Sequence, residues 1–263
     1  MRRVYLWYLN SMSKIAIIGS SALQCLKQMQ IHHEEAILTP YGETSTHLAY
    51  GTFAEKEIIF LNRHGLTRTT PPHKINYRAN IWALKQVGVE YIIGMSIVGG
   101  IRSDMTPGHF AFPDQLIDYT YNRPTTFYEE DFNFSRHLDF TYPYCRKLHR
   151  ILVDSAQALG LDFSDDATYG VLEGPRFETI AEVNRFERDG CDIIGMTAMP
   201  EAVLARELEM SYACVAIVGT KAAGRSDGIN INVDQIREVV NDSMDQIEGL
   251  LYCAIQRLSV VVT

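Results

Sequence analysis

An arginine and a histidine, Arg63 and His64, stand just beyond the apolar run that ends at Leu61. Arginine carries a permanent charge and a planar fork of N–H donors, so this pair could hold a phosphate dianion. The same two residues could equally be a solvated pair on the surface, where charges contribute little to stability. Both interpretations stay open from these residues alone.

Hydroxyl-bearing residues stand at or just beyond other apolar runs. They are Ser21 in a Gly-Ser-Ser turn, Ser96, Thr197 and Thr220. In open α/β sheets, ligands bind beyond the carboxyl ends of the strands. We therefore expect these hydroxyls to converge with Arg63 on one anion. The Gly-Ser-Ser turn by itself is more simply a helix cap, and it matches neither the dinucleotide-binding nor the Walker pattern.

The segment 173–179 joins a Gly-Pro turn to an aromatic residue and a carboxylate. Phe177 could stack on a purine, and Glu178 could accept a hydrogen bond from a ring N–H. The same two residues could instead be a phenylalanine of the hydrophobic core and a carboxylate at a helix N-terminus. From these residues alone, the second interpretation, in which they serve the fold and not a ligand, is favoured.

Two clusters of charged residues have a simpler explanation than chemistry. The segment 32–35, His-His-Glu-Glu, lacks the spacing of metal ligands, and we predict a solvated loop there. The acidic run 129–131 is interpreted as a solvated patch, because adjacent side chains in a loop usually diverge.

The elements that must position these residues alternate between strands and helices. Strands are predicted at 14–18, 57–61, 91–98, 192–196 and 212–218, and helices at 76–87, 148–159, 201–209 and 233–258. Several strands are apolar along their whole length, which is typical of a parallel sheet covered on both faces. We predict an α/β fold: one domain over 14–263, with a mixed, largely parallel sheet flanked by helices. Residues 1–13 are set aside as a leader of unknown role.

Composition argues against several classes of protein. The formal net charge of −8 disfavours a general nucleic-acid binder, which would need a basic face. No segment approaches the roughly 18 uncharged apolar residues of a membrane span. The five cysteines are odd in number and form no CxxC pair, which favours a reducing, cytoplasmic location.

Six motifs in order resemble the family of trimeric purine nucleoside phosphorylases and methylthioadenosine phosphorylases. The resemblance runs from about Lys14 to Leu258. The motifs lie at 39–42, 63–65, 76–80, 98–101, 173–177 and 196–201. Any one of them is weak evidence, but their order along one chain makes chance improbable.

The resemblance implies a role for each matching residue. Its phosphate site would consist of Ser21, Arg63, His64, Ser96 and Thr197. Phe177 would pack on the purine and Met196 on the ribose, while Glu178 and Thr220 would contact the base. Catalytic roles would fall to His64, Glu178 and Thr220. His137 resembles a histidine that reaches the 5′ pocket of a neighbouring subunit, which implies a homotrimer or a dimer of trimers.

The base-contacting positions favour a 6-oxopurine. Methylthioadenosine phosphorylases carry Thr-Asp-x-Asp where this chain has Gly-Thr-Lys-Ala at 219–222, so both aspartates are absent. Glu178 matches a glutamate of the 6-oxopurine enzymes; a carboxylate suits the N1–H of an oxopurine and repels the bare N1 of adenine. Those enzymes usually have asparagine in place of Thr220.

The run 222–226 is similar to a bacterial methylthioinosine phosphorylase branch of the family. That branch favours a hydrophobic 5′ pocket, for which Ile229 and Ile231 are candidates. For the proton at purine N7, Thr220, a water molecule and Asp227 are alternative donors.

The resemblance thus implies phosphate-dependent cleavage of S-methyl-5′-thioinosine to hypoxanthine and 5-methylthioribose 1-phosphate. Alternatives are a methylthioadenosine phosphorylase, a general inosine/guanosine phosphorylase, a nucleoside hydrolase and a non-catalytic nucleoside-binding protein. Inorganic phosphate would be a co-substrate. No metal or organic cofactor is expected.

Overall fold

The computed structural model describes residues 14–19, 29–67, 69–130, 132–226 and 231–261. The strands in these ranges are β1 (Lys14–Gly19), β2 (Gln30–Glu35), β3 (Leu48–Phe53), β4 (Lys56–Asn62), β5 (Val89–Gly100), β6 (Phe110–Ala111), β7 (Gln115–Asp118), β8 (Phe163–Ser164), β9 (Thr168–Val171), β10 (Ile193–Gly195) and β11 (Ser211–Lys221). The helices are α1 (Tyr77–Gln86), α2 (Arg146–Leu159), α3 (Ile180–Arg188), α4 (Glu201–Glu207), α5 (Val233–Asp242) and α6 (Met244–Val261).

All these strands belong to one mixed sheet. Its main path runs β2-β3-β4-β1-β5-β10-β9-β7, and β11 pairs with β5 and β6. The centre is parallel: β1 pairs with β4 and β5, and β11 pairs with β5, all in parallel. The predicted fold class, a largely parallel sheet flanked by helices, is confirmed.

The two faces of the sheet carry separate cores, because successive side chains of a strand point to opposite faces. In β1, Ala16 and Ile18 join the core under α1 and α4, whereas Ile15 and Ile17 join the core under α2 and α6. This two-sided burial explains why the central strands are apolar along their whole length.

The central strand β5 has a gap along one edge. Along that edge β1 pairs with β5 only as far as Gly94, and β10 pairs antiparallel with Gly99 and Gly100. Residues 95–98 between them have no strand partner on that edge within the described residues, while β11 pairs along the other edge. The gap lies at the carboxyl ends of β1 and β4, where the sequence predicts the anion site.

Two element predictions are wrong. The predicted helix 233–258 is two helices, α5 and α6, separated at Ser243, whose buried hydroxyl donates to the carbonyl oxygen of Val239. Residues 32–35 lie in the edge strand β2 rather than in a loop. They pair with β3 and remain exposed, so their charges are solvated as expected.

Two further observations concern the chain as a whole. Over the described ranges, no helix combines the length and the apolar character needed to cross a bilayer. Cys145, Cys191, Cys214 and Cys253 are free thiols. The predicted leader 1–13 and the fifth cysteine, Cys25, lie outside the described residues.

Candidate active site

A cavity of about 280 Å³ lies at the carboxyl ends of the central strands. Nine sequence-predicted site residues line it together: Arg63, His64, Ser96, Phe177, Glu178, Met196, Thr197, Thr220 and Ile231. Segments far apart in the chain therefore meet in one place, as the strand-end rule leads one to expect. Ser21, Asp227 and Ile229 lie outside the described residues.

Arg63 closes the gap in the edge of β5. Its Nη1 donates to the carbonyl oxygen of Met95 at 3.0 Å, and its Nη2 donates to that of Ile18 at 3.4 Å. Nε and Nη2 donate to the two carboxylate oxygens of Glu201 at 2.8 and 2.7 Å. Since arginine has five N–H donors, these bonds leave one N–H on Nη1 for an acceptor in the cavity. The surface interpretation of Arg63 is wrong, because the residue is only 1% exposed.

Glu201 balances the charge of Arg63 inside the fold. Burial alone lowers the pKa of Arg63, but the Glu201 charge and its hydrogen bonds outweigh that effect and hold the pKa above its usual range. Glu201 is completely buried and also accepts a hydrogen bond from the Tyr212 hydroxyl at 2.9 Å. Glu201 ends the motif 196–201, but nothing in the sequence around it indicated a role.

The two hydroxyls predicted to bind the anion contact each other. Ser96 Oγ and Thr197 Oγ1 are 3.0 Å apart, and both residues are buried. The Cys214 thiol donates to Ser96 Oγ at 3.8 Å. Burial raises the pKa of Cys214 to about 12, so the thiol stays protonated at neutral pH and remains a donor. Ser96 directly follows Met95, so the hydroxyl pair lies beside Arg63.

His64 is half-buried, and a backbone carbonyl determines its tautomer. Its Nδ1 lies 2.9 Å from the carbonyl oxygen of Thr70. A carbonyl oxygen only accepts hydrogen bonds, so Nδ1 carries the proton. In the neutral ring Nε2 then carries none. Donation from Nε2 to an anion therefore requires the imidazolium form.

Phe177 and Glu178 stand just before the helix α3, whose start is fixed by a capping box. The Thr179 hydroxyl accepts from the Glu182 N–H, and the Glu182 carboxylate accepts from the Thr179 N–H. A hydrogen bond from Arg176, together with that cap, lowers the pKa of Glu182 to about 2. The rigid helix start directs Phe177, which is 43% exposed, and the nearly buried Glu178 into the cavity.

Phe177, Glu178 and Thr220 form what we call the base end of the cavity. Glu178 and Thr220 differ in the hydrogen-bonding groups that they offer a ligand. Glu178 Oε1 accepts from the Ala223 N–H at 3.3 Å, and a carboxylate has capacity for further donors. The Thr220 hydroxyl donates to the carbonyl oxygen of Lys221 at 3.1 Å. In this conformation Thr220 presents a lone pair to the cavity, and its proton is engaged.

The remaining wall of the cavity is apolar. It is formed by Ile97, Ile217, Ile231, Val233, Ile236, Val240 and Ile247. Ile97 is 41% exposed although it lies in the central strand, and Val233 is 47% exposed. A Cβ at Gly219 would lie 2.8 Å from Ile97 and 2.9 Å from Ile236, so only glycine fits between them.

His137 does not line this cavity; it lies in an exposed loop of the same chain. Its Nδ1 is 3.0 Å from the carbonyl oxygen of Phe134, and its ring lies 5.1 Å from Phe132 and 5.0 Å from Phe134. Within the chain, His137 therefore does not join the other candidate residues.

The described residues include no group of three or more His, Cys, Asp or Glu side chains arranged to hold a metal ion.

Comparisons with known proteins agree with the fold and the motifs. The family model described as the phosphorylase superfamily matches residues 14–255. A probable S-methyl-5′-thioinosine phosphorylase of Pseudomonas syringae is 47% identical over 240 residues, covering 91% of this chain and 97% of that protein. A 6-oxopurine nucleoside phosphorylase of Pyrococcus furiosus is 45% identical over 249 residues, covering 93% of this chain and 92% of that protein.

Among solved structures, methylthioadenosine phosphorylase from Schistosoma mansoni in complex with adenine superposes with a TM-score of 0.89. It is 28% identical, and the match covers 94% of this chain and 92% of that one. Together with the sequence matches, this confirms the family resemblance and the fold class expected from the motifs. The chain belongs to the phosphorylase superfamily.

Proposed function

We propose that this protein cleaves purine nucleosides with inorganic phosphate and that S-methyl-5′-thioinosine is its preferred substrate. One observation carries the proposal. A single cavity joins buried anion donors, an aromatic–carboxylate pair and an apolar wall. These three parts correspond in chemistry to phosphate, a 6-oxopurine and an apolar 5′ substituent. The two similar proteins, a probable S-methyl-5′-thioinosine phosphorylase and a 6-oxopurine nucleoside phosphorylase, support the same reaction class.

Arg63, Ser96 and Thr197 form what we call the anion end of the cavity, which holds the nucleophile, phosphate. Phosphate accepts hydrogen bonds from the remaining N–H of Arg63 and from the hydroxyl of Ser96 or Thr197, whichever does not donate to the other. The bond from C1′ to the purine lengthens, the ribosyl carbon gains positive charge, and a phosphate oxygen attacks from the opposite face. The protein contributes chiefly by holding the reactants in place and by placing charge. His64 adds a donor to phosphate in its imidazolium form.

The base end stabilises the leaving purine. Glu178 accepts the N1–H that an oxopurine carries and adenine lacks. The departing base gathers negative charge, so N7 needs a proton or a donor. Thr220 can supply a hydrogen bond only after its hydroxyl rotates away from the carbonyl oxygen of Lys221, to which it now donates. A water molecule is then the simpler hydrogen-bond donor to N7.

The apolar wall supports a methylthio group at the 5′ position. Each buried methyl or methylene contributes about 0.8 kcal/mol. A 5′ hydroxyl against Ile97, Val233 and Ile236 would lose its hydrogen bonds to water, and these three side chains offer none in return. The wall therefore favours methylthioinosine over inosine.

We also propose that three copies assemble and that His137 reaches the 5′ pocket of a neighbouring copy. The proposal follows the family resemblance and is supported by exposed side chains around His137: Phe132 and Phe134 are 53% and 87% exposed. Light scattering in solution is expected to give three times the 29.8 kDa of the chain, or six times for a dimer of trimers. A monomer would contradict it.

We expect a cytoplasmic enzyme without a metal or organic cofactor.

A product assay tests the reaction. Methylthioinosine, methylthioadenosine and inosine are each incubated with and without phosphate, and the free bases are separated. We expect hypoxanthine from methylthioinosine, dependent on phosphate and faster than from inosine. Adenine as the main product would identify a methylthioadenosine phosphorylase. Turnover without phosphate would indicate a hydrolase, and no turnover would indicate a non-catalytic binding protein.

A further inference from the structure

Arg123 is a buried arginine outside the cavity lining, and its guanidinium joins two separate turns. Nη1 donates to the carbonyl oxygens of Met196 and Met199 at 2.8 and 2.6 Å. Nη2 donates to those of Leu172 and Glu173 at 3.0 and 2.6 Å. Its side chain is only 1% exposed. Four backbone acceptors from two parts of the chain thus converge on one rigid group.

The two turns carry opposite ends of the candidate active site. The segment 172–178 ends with Phe177 and Glu178 at the base end, whereas the segment 196–199 begins with Met196 and Thr197. The turns also touch directly, since a Cβ at Gly174 would lie 2.6 Å from Met196 Sδ. Their relative position therefore determines how far the base end stands from the anion end.

Two further contacts fix the guanidinium itself. Arg123 Nε lies 3.3 Å from a carboxylate oxygen of Glu173, which balances its charge. Nη1 also lies 3.2 Å from the Tyr77 hydroxyl oxygen, and that hydroxyl donates to the carbonyl oxygen of Pro72 at 3.2 Å. Pro72 lines the cavity, so a third wall segment is tied to the same group.

We propose that Arg123 is a positioning residue that sets the distance between the purine-contacting turn and the phosphate-contacting turn. Lysine cannot replace it, because a planar fork with five donors bridges several carbonyls at once, whereas an ammonium is a point charge with three. The proposal rests on the proposed function for its kinetic readout, but the linkage of the two turns can be measured without any substrate.

The test compares Arg123→Lys with the matched control Arg102→Lys. Arg102 also bridges chain segments, through Asp104 and the carbonyl oxygen of Asp166, but none of these three residues lines the cavity. At a temperature where both variants are folded by circular dichroism, we expect Arg123→Lys to lower kcat at least tenfold and to raise the KM of both phosphate and nucleoside. Arg102→Lys should stay within about twofold of the parent.

Double-mutant cycles separate positioning from general loosening of the fold. Arg123→Lys is combined with Thr197→Ala and, separately, with Phe177→Ala. We expect both combinations to be less damaging than the product of the single effects, since Arg123 acts through both side chains. Additive effects in both cycles, or parental kinetics of Arg123→Lys, would overturn the proposal.

Hydrogen exchange provides the readout that needs no activity. In Arg123→Lys, amides of 172–178 and 196–199 should exchange faster than in the parent, with α2 and α6 unchanged. If Arg123→Lys does not fold, Tyr77→Phe removes one contact from the same group, and a smaller acceleration in the same two turns is expected. Unchanged exchange in both turns refutes the role of Arg123, whereas absence of phosphorolysis in the parent refutes only the proposed function.

Discussion

Ser96 and Ile97 are neighbours on the central strand β5, yet Ser96 belongs to the anion end of the cavity and Ile97 to its apolar wall. Ser96 is buried, contacts Thr197 and accepts from the Cys214 thiol, close to the ion pair of Arg63 with Glu201. Ile97 is 41% exposed on an open apolar wall. Buried polar groups need partners, whereas apolar groups need only a surface of the right shape. Substitutions at the anion end should therefore disturb folding and chemistry together, and substitutions on the wall should change only substrate preference.

The strongest test of this comparison is Arg63→Met. It leaves the carboxylate of Glu201 buried without its partner, which destabilises a fold by about 3–5 kcal/mol. We expect a loss of that size in the free energy of unfolding, measured by urea denaturation. Adding Glu201→Leu should recover part of the stability but not phosphate binding. A single variant as stable as the parent would show that the ion pair does not hold the anion end together.

Glu178→Ala tests the base end, which lies between these extremes: within the described part of the chain, the Glu178 carboxylate accepts one hydrogen bond, from the Ala223 N–H. Losing a hydrogen bond to the N1–H of an oxopurine should remove about 1–3 kcal/mol of transition-state binding. The predicted drop in kcat/KM for methylthioinosine is therefore roughly 5- to 150-fold, with the KM of phosphate unchanged. Glu187→Gln, which alters a carboxylate outside the cavity, is the control. Equal kcat/KM in Glu178→Ala and the parent would contradict the role.

Ser96→Ala and Thr197→Ala test whether the two hydroxyls of the anion end bind phosphate together. Each removes a hydroxyl that the other contacts at 3.0 Å. We expect each to raise the KM of phosphate by a factor corresponding to about 0.5–1.5 kcal/mol. Because the hydroxyls interact, the double variant should lose less than the sum. Strictly additive losses would mean that the two hydroxyls bind phosphate independently.

Val233→Ser tests the apolar wall and has the smallest expected effect. Val233 is 47% exposed, so stability should hardly change. Less apolar surface is buried against a methylthio group, so the preference for methylthioinosine over inosine should fall by roughly 1 kcal/mol. The ratio of the two kcat/KM values measures it. A large loss of stability would break the distinction between the two ends.

The convergence of the candidate residues was predictable because it follows from a local pattern. Apolar runs with Arg63, Ser96 or Thr197 at or just beyond their ends indicate strands whose carboxyl ends meet at one edge of a sheet. Element types follow from periodicity in the same way, so most of the central strands were found. The failures are also local: a buried serine ends one helix where the apolar spacing continues, and the exposed edge strand β2 lacks any alternation of burial.

The partners of the buried charges were not predictable. Arg63 and Glu201 are 138 positions apart, and Arg123 meets its four carbonyl acceptors 49 to 76 positions away. From sequence, Arg63 looked equally suited to the surface, and Arg123 carried no signal beyond an arginine near a proline. The tautomer of His64 and the engaged proton of Thr220 likewise depend on carbonyl groups whose positions only the folded backbone defines.

By itself, the sequence determined the alternation of elements, the two-sided parallel sheet and the edge at which a ligand would bind. These follow from side-chain periodicity and from the geometry of parallel strands, which are properties of short segments. Only the tertiary structure decided that Glu201 neutralises Arg63, that Arg123 joins two turns and that His137 lies away from the cavity of its own chain. Those outcomes depend on which distant segments share a buried volume, where each polar group must find a partner.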